Sequence, residues 1–172
     1  MRNQSQVLSQ RKKASHDARK QAALKSTKFS RYLMIRYSIA GFFFANLYWL
    51  VAQILEWSFY GLIPIVMLIL SILAAAEQLR MYGTDTVYLS WTKVFFQVAF
   101  VLQMVLIGWI YLTDQLRLMF PVFSDSIATK LFLTGLWSVG IVLAYANLHR
   151  IALIANNKDK AYHRIKQLEK FV

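Results

Sequence analysis

The chain has 172 residues, a formal net charge of +12 and no cysteine. Hydrophobic residues make up 58% of it and charged residues only 16%, too few to coat a soluble domain of this size. The missing cysteine excludes a disulfide framework, a thiol catalyst, a thiolate-bound metal and a palmitoylation site.

The charges are also unevenly placed. Residues 37–55, 58–76, 94–112 and 131–148 contain no Asp, Glu, Lys or Arg. Each run is close to the roughly 20 residues a helix needs to cross a bilayer core. None shows the amphipathic period of a helix lying on a soluble core. The expected fold is an all-α integral membrane protein with four transmembrane helices, arranged as two antiparallel hairpins.

In chain order, residues 1–32 form a basic tail in which Asp17 is the single acid. The first glycine of the chain is Gly41, and Ala14, Ala18 and Ala22 recur at helical spacing, so the tail is competent to form a helix. Arg11, Lys12, Lys13, Arg19 and Lys20 are its candidate contacts with anionic lipid or a partner. The polar start and the lack of a small-residue cleavage pattern make the first span an expected uncleaved anchor.

The first span is predicted at 33–55, with Arg36 one turn inside it and able to snorkel to the headgroups. Glu56, Trp57 and Ser58 make a connection too short for anything but a tight return. The second span, 58–76, carries Pro64 early, where a missing N–H does little harm. The third, 94–113, follows a loop from Glu77 to Lys93. Between it and the fourth span, 131–148, the apolar stretch from Leu118 to Phe123 is too short to cross and is expected to dip into the interface. Residues 149–172 form a second basic segment, with Asn156 and Asn157 as its weak point as a helix. Within it Ala161, Ile165, Leu168 and Val172 make a short heptad-like seam, a candidate partner surface.

Lys and Arg retained on one side set orientation. Eighteen of the 20 fall on the side of the two tails, and only Arg117 and Lys130 on the other. Both termini are therefore expected in the cytoplasm, which an even number of spans permits. The setting implied is a bacterial cytoplasmic membrane. The same basic flanks account for the net charge, so no nucleic-acid partner is invoked.

Polar residues inside the spans are the candidates for chemistry. Glu77 lies at the tail end of span two, with Arg80 one turn away on the same face and Arg36 at similar depth on span one. The expected arrangement is an interfacial ion pair, the sharper alternative a proton or cation site. Asn46 and Gln53 share one face of span one, while Gln97, Gln103 and Asn147 are scattered amides, all expected to bond between helices. Gly41 with Ala45 and Gly140 with Ala144 are small-residue pairs that allow close packing, expected between spans one and four or in self-association. His16, His149 and His163 lack ligand spacing, so no metal or other cofactor is expected. The Asn3 sequon falls on the cytoplasmic side, where it stays unglycosylated.

No nucleophile, phosphate loop or metal motif is assembled in the sequence. The expected function is accordingly non-enzymatic: an accessory or scaffold subunit of a larger membrane complex in transport, secretion or cell-envelope assembly. Its partners would be the bilayer with its anionic lipids and other membrane-protein subunits or further copies of itself. The alternative is a small oligomeric transporter or channel with Glu77, Asn46 and Gln53 near its path. A lipid-modifying enzyme ranks third.

Overall fold

The computed structural model describes residues 18, 19, 21–23, 26, 27, 29–80, 89–156, 158, 159 and 166. Among them, four helices are long and apolar enough to cross a membrane. They are α1 (Leu33–Leu55), α2 (Leu62–Arg80, preceded by a single 3-10 turn at Phe59–Gly61), α3 (Ser90–Leu112) and α5 (Ile127–Ala155). A one-turn helix, α4 (Leu116–Met119), lies between α3 and α5. The described residues between 18 and 31 are also helical.

Local chemistry explains where each helix stops. α1 ends at Glu56, whose backbone is extended (φ −148°, ψ 93°). Pro64 sits in the first turn of α2, where its absent N–H has no intrahelical partner to lose. α5 opens on Ser126, whose hydroxyl oxygen accepts the Thr129 N–H at 3.2 Å, a side-chain N-cap. It closes at Asn156, the weak point read from the sequence. At 29 residues α5 is about 43 Å long, which exceeds a bilayer core of about 30 Å. One or both of its ends therefore stand beyond an apolar layer of that thickness.

Only 22–28% of each span's apolar window is buried inside the protein. The outward positions are apolar as well: Ile69, Val101 and Val142 are each more than half exposed. Helices hydrophobic on every side need an apolar solvent, so a membrane location follows from the fold.

The helices pack in chain order, α1 on α2, α2 on α3 and α3 on α5, while α1 and α5 touch less extensively. The interior forms two layers. One is built on Phe42, Phe95 and Phe96, which meet edge to face with centroids 5.1–6.1 Å apart. The other is built on Trp49, Phe120 and Trp137; Trp49 stacks on Phe120 at 4.9 Å, and Phe120 lies 6.0 Å from Trp137. Lipid is as apolar as these side chains, so shape fit and ring geometry hold the layers together more than any hydrophobic drive.

The stretch after α3 differs from expectation. Leu116 and Met119 are fully buried and Phe120 nearly so, so α4 plugs the end of the bundle. Leu118, Val122 and Phe123 keep outward exposure, and only they match the expected interfacial stretch.

Candidate functional site

Three polar ties and one cleft collect the buried chemistry of the described residues. The first tie joins the two ends of the chain. Arg31 is buried, and its guanidinium donates to Asp159 through Nε at 2.9 Å and Nη2 at 2.5 Å, a two-point charged pair. The same Nη2 reaches the Ile154 carbonyl at 3.3 Å. Arg150 returns the contact by donating to the Arg31 carbonyl at 3.3 Å and to the Met34 sulfur at 3.4 Å. Below this cluster, Asn147 donates to the Ser38 hydroxyl at 2.8 Å. Beside it, burial pushes the Tyr32 hydroxyl above the usual phenol range, while the adjacent Arg31 charge pulls it back.

The second tie is at Glu77. Its carboxylate accepts the backbone N–H of Trp91 at 3.1 Å and that of Thr92 at 2.8 Å, together with the Thr92 hydroxyl at 2.7 Å. Gln78 donates to the same Thr92 hydroxyl at 3.2 Å. An N-terminal helix end carries unpaired N–H groups and partial positive charge, and a carboxylate from α2 meets both at the start of α3. The expected ion pair of Glu77 with Arg80 and Arg36 is not formed. Arg80 is exposed, and Arg36 reaches the Gln78 carbonyl at 3.4 Å and lies 5.1 Å from the Phe29 ring centroid. The helix terminus wins because two aligned amides and a hydroxyl satisfy a buried carboxylate more fully than one mobile guanidinium.

The third tie is at the opposite end. Gln53 is fully buried and donates through Nε2 to the carbonyls of Met119 at 2.6 Å and Leu118 at 3.3 Å. Its Oε1 accepts from the Ser58 hydroxyl at 2.9 Å and the Ser58 N–H at 3.3 Å. Trp49 donates its indole N–H to the same Met119 carbonyl at 2.8 Å. Nearby, Lys130 lies 3.7 Å from both Asp114 and Asp125, so one of the two cations expected on this side is locally neutralised.

The cleft runs between α1 and α5, with α3 as its floor and a volume of about 580 Å³. Asn46, Gln103, Gly41, Ala45 and Gly140 all line it. The two small-residue pairs do not meet each other across α1 and α5. Gly41 and Ala45 are exposed to the cleft, whereas Gly140 is buried against α3, where a Cβ would overlap the Gln103 carboxamide. Ala144 is fully buried one turn further on. The polar bonds of Asn147 to Ser38 and of Arg150 to Met34 join α5 directly to α1.

Glu77 and Gln53 therefore stand at opposite ends of the bundle with Asn46 between them in the cleft, and each end residue is engaged by backbone groups. Arg19 is exposed on the helical segment before α1, and His149 is exposed on α5. Arg11, Lys12, Lys13, Lys20, His16, His163 and the seam of Ala161, Ile165, Leu168 and Val172 lie outside the described residues. Sequence reasoning overlooked Asp159, Thr92 and Trp137. Asp159 had a usable signal, being with Glu169 one of two acids in a basic segment.

Comparison with family models, with curated proteins and with solved structures returns no match to this chain.

Proposed function

We propose that this protein works by association in a bacterial cytoplasmic membrane, as a non-enzymatic accessory or scaffold subunit of a larger membrane complex. In this reading the spans form two antiparallel hairpins and both tails stand in the cytoplasm. The observation that carries it is the Arg31–Asp159 pair, which fastens the segments leading to both basic tails side by side. Arg150 bonds the Arg31 carbonyl and Lys158 directly precedes Asp159, so cations flank the pair at this end. Such an end suits an acidic subunit face or anionic headgroups. The opposite end carries Glu56, Asp114 and Asp125 against Arg117 and Lys130, a polarity that supports the orientation.

Isolation from the native host at native abundance, in mild detergent, tests the association. A stoichiometric membrane partner is expected, and its loss on Arg31→Ala would tie it to the cationic end. Recovery of the protein alone would overturn the reading. Orientation is tested separately, because a cysteine-free chain accepts single cysteines cleanly. Ser124→Cys should react with an impermeant maleimide on intact cells, and Asn156→Cys only after lysis.

A further inference from the structure

A second groove lies between α1 and α2, at the end of the bundle nearest the basic tails. Ala40, Ala75 and Ala76 give it room, and the exposed side chains of Phe44, Ile72 and Leu79 stand along it. Its lining runs from Arg36 to Phe44 on α1 and from Leu79 back to Ser71 on α2. Each stretch covers about 12 Å along its helix axis, close to the roughly 15 Å of one leaflet of a bilayer core. The groove therefore starts one turn inside α1 and ends near the middle of the apolar layer. A helix of another subunit crossing the membrane would follow α1 and α2 over their whole length, and this groove accompanies them for about half of it.

The two ends of the groove differ in charge. Ser71, at the inner end, turns its hydroxyl to the Leu68 carbonyl, and Gln78 turns its amide to Thr92. Arg36 is the charged residue of the lining and stands at the outer end. It is half-buried, and its guanidinium is positioned by the Gln78 carbonyl at 3.4 Å and the Phe29 ring at 5.1 Å. Glu77, the single acid of α2, gives its carboxylate to the start of α3. The α1–α2 pair thus presents a cation at headgroup depth, with an apolar trough one leaflet deep beneath it. The complement of that surface is an anionic group carrying a hydrocarbon chain. A neutral lipid or an apolar helix brings no charge to Arg36.

We infer that this groove binds one anionic phospholipid from the leaflet on the side of the basic tails. Its phosphate sits on Arg36, whose guanidinium donates charge-assisted hydrogen bonds to the phosphate oxygens. One acyl chain lies along Ala40, Ala76 and Ala75, where short side chains leave the space. This site does not depend on the association proposed above, which draws on Arg31 and Asp159.

The test uses the full chain in phosphatidylcholine nanodiscs with a minor fraction of phosphatidylglycerol carrying a diazirine in one acyl chain, and peptide mapping of the photolabel. Labelling should concentrate on residues 36–44 and 71–79. Unlabelled phosphatidylglycerol should compete about fivefold better than added phosphatidylcholine, the ratio expected from one interfacial cation. Arg36→Gln should abolish that preference, and Arg36→Lys should keep most of it. Arg80→Gln removes an exposed cation from the same end of α2 but outside the groove lining, and should leave the preference unchanged. Ala76→Leu tests the trough without touching the charge: it places a larger helix former at an exposed position and should lower labelling about fivefold. Label spread evenly over the four spans, equal competition by phosphatidylcholine, or indifference to Ala76→Leu would each overturn the inference. Equal effects of Arg36→Gln and Arg80→Gln would overturn it in favour of general surface charge. Dispersal of an oligomer by Ala76→Leu with labelling unaltered would overturn it in favour of a second copy.

Discussion

Thr92 gives both its backbone N–H and its hydroxyl to a single oxygen of Glu77, at 2.8 and 2.7 Å. A residue in the last turns of one span thereby starts the next, across the connection 81–89. The acid most open to a catalytic or ion-binding interpretation is engaged by a helix terminus.

Glu77→Ala should therefore cost about 1–3 kcal/mol of stability, since three donors lose their acceptor together. Glu77→Gln keeps one carbonyl oxygen and should cost less. Thermal unfolding in a mild detergent, followed by tryptophan fluorescence, checks the order. Equal melting of Glu77→Ala and the parent protein would remove the capping role.

At the other end, Gln53→Leu should free α4 while leaving the spans intact, because Gln53 bonds two of its carbonyls. Amide hydrogen exchange is expected to rise over residues 116–123 and to stay level over 90–110. Gln53→Glu should be worse than Gln53→Leu, as it points a carboxylate at the Met119 carbonyl oxygen 2.6 Å from the present amide nitrogen. A uniform rise in exchange along the chain would contradict this local role.

The pair of Arg31 and Asp159 should show coupling of about 1.5–3 kcal/mol in a double-mutant cycle of Arg31→Ala and Asp159→Ala, as its side chains are 9% and 11% exposed. Spin labels at Ser30 and Lys158 give an independent reading: their distance distribution should broaden in either single variant. Additive losses with unchanged distances would show that the pair holds nothing together.

Glycines of the same helix should respond in opposite ways. Gly140→Leu forces the Gln103 carboxamide aside and should cost about 1–3 kcal/mol by overpacking. Gly135→Leu meets no atom within 4 Å of its Cβ and should stay within about 0.5 kcal/mol of the parent. Melting temperatures measured in one detergent decide between them.

Hydropathy located the spans well because a run without charge is a direct statement about where lipid lies. The first span, 33–55, coincides with α1 at both ends. The helices of the third and fourth run past the charge-free windows at 94–113 and 131–148: α3 begins at Ser90 and α5 covers 127–155. Their ends are set by capping groups, Glu77 for α3 and Ser126 for α5, and a charge-free window is blind to a cap. Lys93 and Lys130 also masked the first turns of these helices, although a long cation near a helix end is easily accommodated. The candidate residues were legible as buried polar groups and illegible as partners. Gln53 meets residues 65 and 66 positions further along, and Arg31 meets one 128 away, distances no local period encodes. Burial of Leu116 and Met119 was hidden for the same reason, since four residues look alike whether they plug a bundle or rest in an interface.

The bonds of Gln53 also fix an order of events during synthesis. Its Oε1 finds Ser58 only five residues later, but its Nε2 must wait for a carbonyl 66 residues downstream. At about 5–20 residues per second, ribosomes take roughly 3–13 s to make that acceptor. For that interval the first two helices carry an amide nitrogen whose final acceptor has not yet been made. A chain truncated before Leu118 never makes either acceptor, and should be cleared by proteolysis faster than the full chain in a pulse-chase measurement.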